Sequence, residues 1–220
     1  MASKETLHVL NGTEMHKHFK QTKFLDSDIM IPFNEAMCYG DTCEVVFSDE
    51  FNNIRAQVHQ VTPTQYADIT LKPLQPLFNG EFDRLSLWFD EDMFCQMNLL
   101  TILAWLDQSD YRGPIDLNIV GNRFQPVDSY SLKAKGFDSL YKEVMIHQTI
   151  PVDVHPPPLN KGIHLYLDYL KKDSDLMVYI QEHPDVPVTE LVSDLIRRFK
   201  EYGLGDTQYA EIIKTHRRTL

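Results

Sequence analysis

Apolar positions fall along the first half of the chain in short strand-like runs separated by helical stretches, and along the last third in helical spacing alone. Leu7-His8-Val9-Leu10 is a short apolar run halted by the turn signal Asn11-Gly12, so it reads as a strand. Glu14 to Lys23 reads as a helix with Met15 and Phe19 on one side, and Thr13 is placed to cap it. Asp28 to Phe33 predicts a second strand, with Pro32 expected to end its pairing. Asn34 to Thr42 reads as a loop, and Val45 to Gln60 as a helix. Pro63 to Leu77 reads as a further helical segment broken by Pro73 and Pro76.

The clearest unit spans residues 84–107. Arg84 to Phe89 predicts a third strand, and Asp90-Glu91-Asp92 opens a helix running to about Asp107. Its apolar band, with Met93, Met97, Leu100 and Ala104 on one line and Leu99, Leu103 and Leu106 beside it, is wide enough for a helix buried against a sheet and its neighbours. Ile115 to Val120, between Gly113-Pro114 and Gly121, predicts a fourth strand. Strands joined by connections of this length lie parallel with right-handed crossovers. The expected fold is therefore α/β: a Rossmann-like, mostly parallel sheet flanked by helices, with a helical C-terminal subdomain.

The domain boundary is expected in the proline run. Residues 1–151 form the α/β domain, 152–158 a stiff Pro-rich linker, and 159–220 a helical subdomain. Leu159, Ile163, Leu167 and Leu170 make one amphipathic face. Val188, Leu191, Val192, Leu195, Ile196 and Phe199 make a stronger one, too broad for two short helices to cover alone, so the tail should dock on the main domain. Gly203-Leu204-Gly205 ends that helix, and Asp206 or Thr207 caps a last one.

Composition narrows the function classes. The 220 residues carry 21 Lys and Arg against 32 Asp and Glu, a net charge of -11 that opposes non-specific contact with phosphate backbones. Arg197, Arg198, Lys200, Lys214, Arg217 and Arg218 cluster in the tail, and two helices around a glycine turn resemble a DNA-reading pair. Yet residues 151–220 hold 9 basic against 11 acidic groups, and residues 1–150 hold 12 against 21, which argues against nucleic acid as a partner. No run of about 20 apolar residues marks a membrane span, and the first residues lack the apolar core of a leader. The three cysteines lack metal-ligand spacing, which fits reduced thiols and a cytoplasmic location.

Three short motifs carry a resemblance. His8-Val9-Leu10-Asn11-Gly12-Thr13, the run Leu87-Trp88-Phe89-Asp90-Glu91-Asp92 with Cys95-Gln96-Met97-Asn98-Leu99-Leu100 just after it, and Gly203-Leu204-Gly205-Asp206-Thr207-Gln208 resemble signatures of domain-of-unknown-function family 1835, a bacterial family. The resemblance implies a bacterial cytoplasmic α/β protein with a helical tail, and no particular reaction. Thr13 stands where the family usually has an acid, so no carboxylate role carries over there.

Open parallel sheets bind ligands beyond the carboxyl ends of their strands. Each strand end here delivers polar groups to that edge: Asn11, Gly12 and Thr13; Asn34 and Glu35; Asp90, Glu91 and Asp92; Gly121 and Asn122. The expected ligand set is Asn11, Gly12, Thr13, Asn34, Glu35 and Gln96, with Asn11, Asp92 and Gln96 bordering one concavity. Asp90, Asp92 and Glu35 are the candidate holders of a magnesium or manganese ion, because hard oxygen donors suit those cations. The structural alternative is that Thr13 and Asp90 are helix caps and Gln96 a buried hydrogen bonder. The expected function is binding of a small polar or phosphorylated ligand, with metal-assisted hydrolysis as its enzymatic form. The alternative is a non-catalytic regulator whose helical tail contacts protein or nucleic acid. Neither a Walker motif, a G-x-G-x-x-G fingerprint nor a G-x-S-x-G elbow is present.

Overall fold

The computed structural model describes residues 6–25, 28–80 and 82–218, without the side chain of Arg218. Residues 1–5, where a leader was sought, lie outside the described residues. Five strands form one sheet: β1 (Thr6–Asn11), β2 (Ile29–Phe33), β3 (Arg84–Asp90), β4 (Ile115–Val120) and β5 (Pro126–Leu132), in the order β2-β1-β3-β4-β5. The first four are parallel and β5 runs antiparallel to β4. The fold is α/β, with helices flanking the sheet and a helical C-terminal region.

Alternation along each strand sorts side chains onto two unequal layers. Leu7 and Val9, Leu85, Leu87 and Phe89, and Ile115, Leu117 and Ile119 face the large core. There they meet α5 (Met93–Gln108), an almost wholly buried helix, together with α2 (Asp49–Val58) and α4 (Gln75–Asn79). The opposite face packs Leu10, Trp88 and Val120 on Met15 and Phe19 of α1 (Thr13–Thr22). Trp88 meets Phe19 edge-on at 5.3 Å, and its indole N–H donates to Nδ1 of buried His8 at 2.9 Å.

Several local expectations are corrected. Gly12, not Thr13, occupies the cap position of α1, at φ 90° where an L side chain is strained. Pro32 does not end pairing, since Leu10–Pro32 and Asn11–Phe33 continue the ladder. β2 is an edge strand, where a missing N–H is tolerated. The helix expected over 45–60 begins only at Asp49, capped by Ser48, whose hydroxyl accepts from the Phe51 amide. Pro63 opens α3 (Pro63–Tyr66), which relaxes into a wider turn over Ala67–Leu71 before Pro73 stops it. β5 and α6 (Phe137–Tyr141) were not foreseen. β5 is largely exposed on both faces, so it lacks the apolar alternation that betrays a strand.

Beyond the proline run lie α7 (Pro157–Tyr169), α8 (Asp175–Glu182), α9 (Val188–Arg198) and α10 (Asp206–Arg218), and no described residue after 158 is in a strand. α7 already starts at Pro157, because a proline lacks only the N–H that a first helical turn leaves unpaired. Leu159, Ile163, Leu167, Leu191, Leu195, Tyr209 and Ile213 belong to the same continuous core as the sheet. Among the described residues no helix is long and apolar enough to cross a membrane. Leu195 is fully buried. Leu195→Ala should lower unfolding free energy by about 2–5 kcal/mol in urea titrations; a neutral result would place this face outside the core.

Candidate functional site

The chain leaves β1 through α1 on one face of the sheet and leaves β3 through α5 on the other, so connections diverge between β1 and β3. That crevice is closed by amides. Asn11 Nδ2 donates to Cys95 Sγ at 2.8 Å, and its Oδ1 accepts from Asn98 Nδ2 at 2.9 Å. Buried Asn98 also donates to the Glu35 carbonyl at 2.7 Å and accepts from the Met37 amide at 2.9 Å. Thr13 donates its hydroxyl to Asn34 Oδ1 at 2.8 Å, and Asn34 Nδ2 donates to the Ile69 carbonyl at 3.1 Å. Asn11, Thr13 and Asn34 are thus satisfied by neighbouring segments, while the position of a Cβ on Gly12 looks into open space.

Glu35 is an anchor. Its Oε1 accepts from Arg55 at 2.8 Å, His59 Nε2 at 2.5 Å and the Ala36 amide at 2.7 Å, and its Oε2 accepts from the Tyr66 hydroxyl at 2.6 Å. Arg55, equally buried, donates onward to the carbonyls of Tyr39, Asp41 and Ala36. Burial pushes the Glu35 carboxyl up, but the His59 hydrogen bond and the Arg55 charge overcome it and hold the group at about 2. This cluster pins residues 35–41 to α2. It does not bring Glu35 to Asp90 and Asp92, and among the described residues no group of three His, Cys, Asp or Glu is placed to hold a metal ion. The expected cation trio is not assembled, because Glu35 is neutralised by a guanidinium.

Asp90 and Asp92 do come together at an opening. Asp92, not Asp90, caps α5, accepting from the Cys95 amide at 2.7 Å. Asp90 accepts from the Glu91 amide through its side chain, and from Gln96 Nε2 through its carbonyl at 2.6 Å. Gln96 is fully buried against α7 and does not border the opening: a Cβ on Gly162 would sit 2.4 Å from the Gln96 Cβ. The concavity expected from Asn11, Asp92 and Gln96 is therefore absent.

A different cleft, of about 560 Å³, lies at the ends of β3 and β4. One wall holds Asp90, Glu91, Asp92, Gly121 and Asn122; the other holds Lys161 of α7 and the turn residues Lys200 and Glu201. Lys161 pairs with Glu201 at 3.4 Å. Gly203 presses on Asp92: at φ 66°, its Cβ would lie 2.3 Å from the carboxylate carbon. Burial pushes the Asp92 carboxyl up to about 6, opposed by the Cys95 amide and helped by the Asp90 charge, and burial also raises Asp90. Perturbed carboxylates in a polar cleft facing lysines are the features of a binding site. Sequence reasoning missed Lys161, Lys200 and Glu201. The available signal was Gly162 inside a helix, which marks close approach of another element.

Three further tail cations are engaged internally. Arg197 pairs with Asp194, Lys214 with Glu211 at 3.2 Å, and Arg217 donates to the carbonyls of His183 and Val186. The side chain of Arg218 lies outside the described residues. Fold and cleft together define an α/β protein with a polar cleft at the carboxyl edge of its sheet, roofed by its own helical tail. No family model, curated protein or solved structure matches the chain.

Two measurements test these electrostatics. Glu35→Gln leaves Arg55 buried without its counter-charge and should destabilise by about 3–5 kcal/mol. Because the folded pKa of Glu35 is depressed, its stabilising contribution is complete above the unfolded value near 4.5 and is lost as pH falls towards about 2. The variant should lack that part of the acid limb in pH-dependent unfolding. Asp92 shifts the opposite way: the folded group favours its proton, so its ionisation weakens folding as pH rises from about 4 to about 6. Asp92→Asn, an equally good cap without the charge, should raise stability at pH 7, by up to about 3 kcal/mol in thermal unfolding.

Proposed function

We propose that the chain binds a small polar ligand carrying both charge signs, with an ammonium or comparable cationic group on Asp90 and Asp92 and a carboxylate or phosphate on Lys161 and Lys200. The observation that carries this reading is the desolvated Asp92 carboxylate, held at about 6 in a cleft whose opposite wall supplies two lysines. A cation beside Asp92 restores the favourable interaction that burial removed, and so stabilises the ionised form. Lys200 has no ion-pair partner within 4 Å among the described residues and is available to an anionic group.

The three motifs behind the resemblance to domain-of-unknown-function family 1835 meet around the start of α5. Asn11 bonds Cys95, Asp92 caps the helix, and Gly203 abuts Asp92. Membership of that family, and a cytoplasmic location, belong to the same proposed reading.

Calorimetry on the full chain with a panel of amino acids, phosphoamino acids and amino-sugar phosphates tests it. Saturable binding is expected from at least one class, weakened tenfold or more by Lys200→Ala and by Asp90→Asn, with unliganded Tm shifted by less than about 3 °C. Binding indifferent to both substitutions, or none from any class, sinks the proposal.

A further inference from the structure

A second cleft, also of about 560 Å³, lies on the far side of the same tail turn, between α8 and the end of α9. Three aromatic rings and several charged side chains line it. Phe199 and Tyr202 stack in parallel at 5.6 Å between centroids, and Tyr179 stands across Phe199 at 6.1 Å and 69°. The guanidinium carbon of Arg198 lies 4.8 Å above the Tyr179 ring and 5.9 Å from the Phe199 ring. Ring faces carry negative potential and attract a cation placed over them, so the protein's own arginine shows which group these faces accept.

Four carboxylates border the rings. Asp168 pairs with Lys171 and Glu201 with Lys161, whereas Asp175 and Glu182 have no ion-pair partner within 4 Å among the described residues. Arg198 likewise makes no ion pair there; it stacks on the rings without reaching a carboxylate. Burial first, and then the charges of Asp168 and Asp175, push the Tyr202 hydroxyl up to about 12. The cleft thus combines ring faces with two carboxylates that neither of its own cations, Arg198 and Lys200, pairs with.

We propose that this cleft is a guanidinium-binding site, distinct from the zwitterion cleft, in which Arg198 is a built-in occupant displaced by an incoming guanidinium. A planar guanidinium suits it better than an ammonium. It covers a ring face while its N–H edges remain free to fork onto Asp175 and Glu182, a geometry a compact point charge lacks. Arg198, from its place at the end of α9, makes the ring contacts without an ion pair, and a ligand free to move can make both.

The test uses the full chain, ethylguanidinium and N-acetylarginine amide as probes, ethylammonium as control, and tyrosine ring signals in NMR as readout. Both guanidinium probes should shift the Tyr179 and Tyr202 signals saturably at low millimolar concentration or below, and at least fivefold more tightly than ethylammonium. Asp175→Asn combined with Glu182→Gln should weaken binding at least tenfold. Arg198→Gln, which empties the cage without altering the rings, should tighten binding threefold or more. All three positions are exposed, so an unchanged Tm establishes that each variant is folded. N-acetylarginine amide binding at least tenfold tighter than ethylguanidinium supports the proposal with an arginine side chain of a polypeptide as the source. Equal affinity supports it with a free small guanidine. Absent or unsaturable shifts, equal response to ethylammonium, indifference to the double substitution, or weaker binding by Arg198→Gln overturns it. Lys200 borders both clefts, so the two proposals are told apart by Asp90→Asn, a residue that borders the zwitterion cleft and not this one.

Discussion

Helix α5 is apolar nearly all round, and twelve of its sixteen residues are buried, so no side of it can be left to water. A helix of this kind needs neighbours on every face. The sheet covers one, and α6 and α7 cover others, with Gly162 letting α7 approach until it touches Gln96. The tail is thereby a required layer of the core rather than an appendage. Once it is seated, the turn after α9 must lie against the start of α5, and Gly203 lands on Asp92. The cleft at the sheet edge is the space left between these two obligations.

Two acidic groups near that edge show how surroundings separate the roles of chemically similar side chains. Glu35 is buried with a guanidinium, an imidazole and a phenol directed at it, so it remains ionised and serves as a fixed joint for residues 35–41. Asp92 is largely withdrawn from water too, yet among the described residues its hydrogen bonds come from Cys95, the backbone amide first. Desolvation then dominates, and the carboxyl keeps its proton to a pH nearer neutrality. The first is a structural ion pair whose charge is balanced; the second has no counter-ion in an ion pair among the described residues.

The turn at 199–203 organises both clefts. Lys200 and Glu201 border both openings, while Phe199 and Tyr202 line only the one against α8. One short segment therefore presents its charged side chains to both openings and its rings only to the one towards α8. Its conformation depends on Gly203 at positive φ and on burial of Tyr202 and Leu204, so local backbone geometry and core packing act on the same few residues.

Local pattern was sufficient for the parallel strands, the buried helix and the docked helical tail, because apolar spacing reports burial wherever one face of an element meets a core. Leu85, Leu87 and Phe89, or Leu191 and Leu195, are legible for that reason. β5 was not, since an exposed edge strand pairs through its backbone and leaves no apolar trace. The opening at the sheet edge beside Asp90 and Asp92, the candidate site, also came from strand order and residue type. Which polar groups stay open there did not. Asn11, Asn34, Glu35 and Gln96 carry the same functional groups whether free or committed, and only the approach of Asn98, Thr13, Arg55 and α7 decides between the two. Lys161 and Lys200, about forty residues apart, reach one wall only because the core beneath them closes, and that long-range placement is a property of packing rather than of any segment.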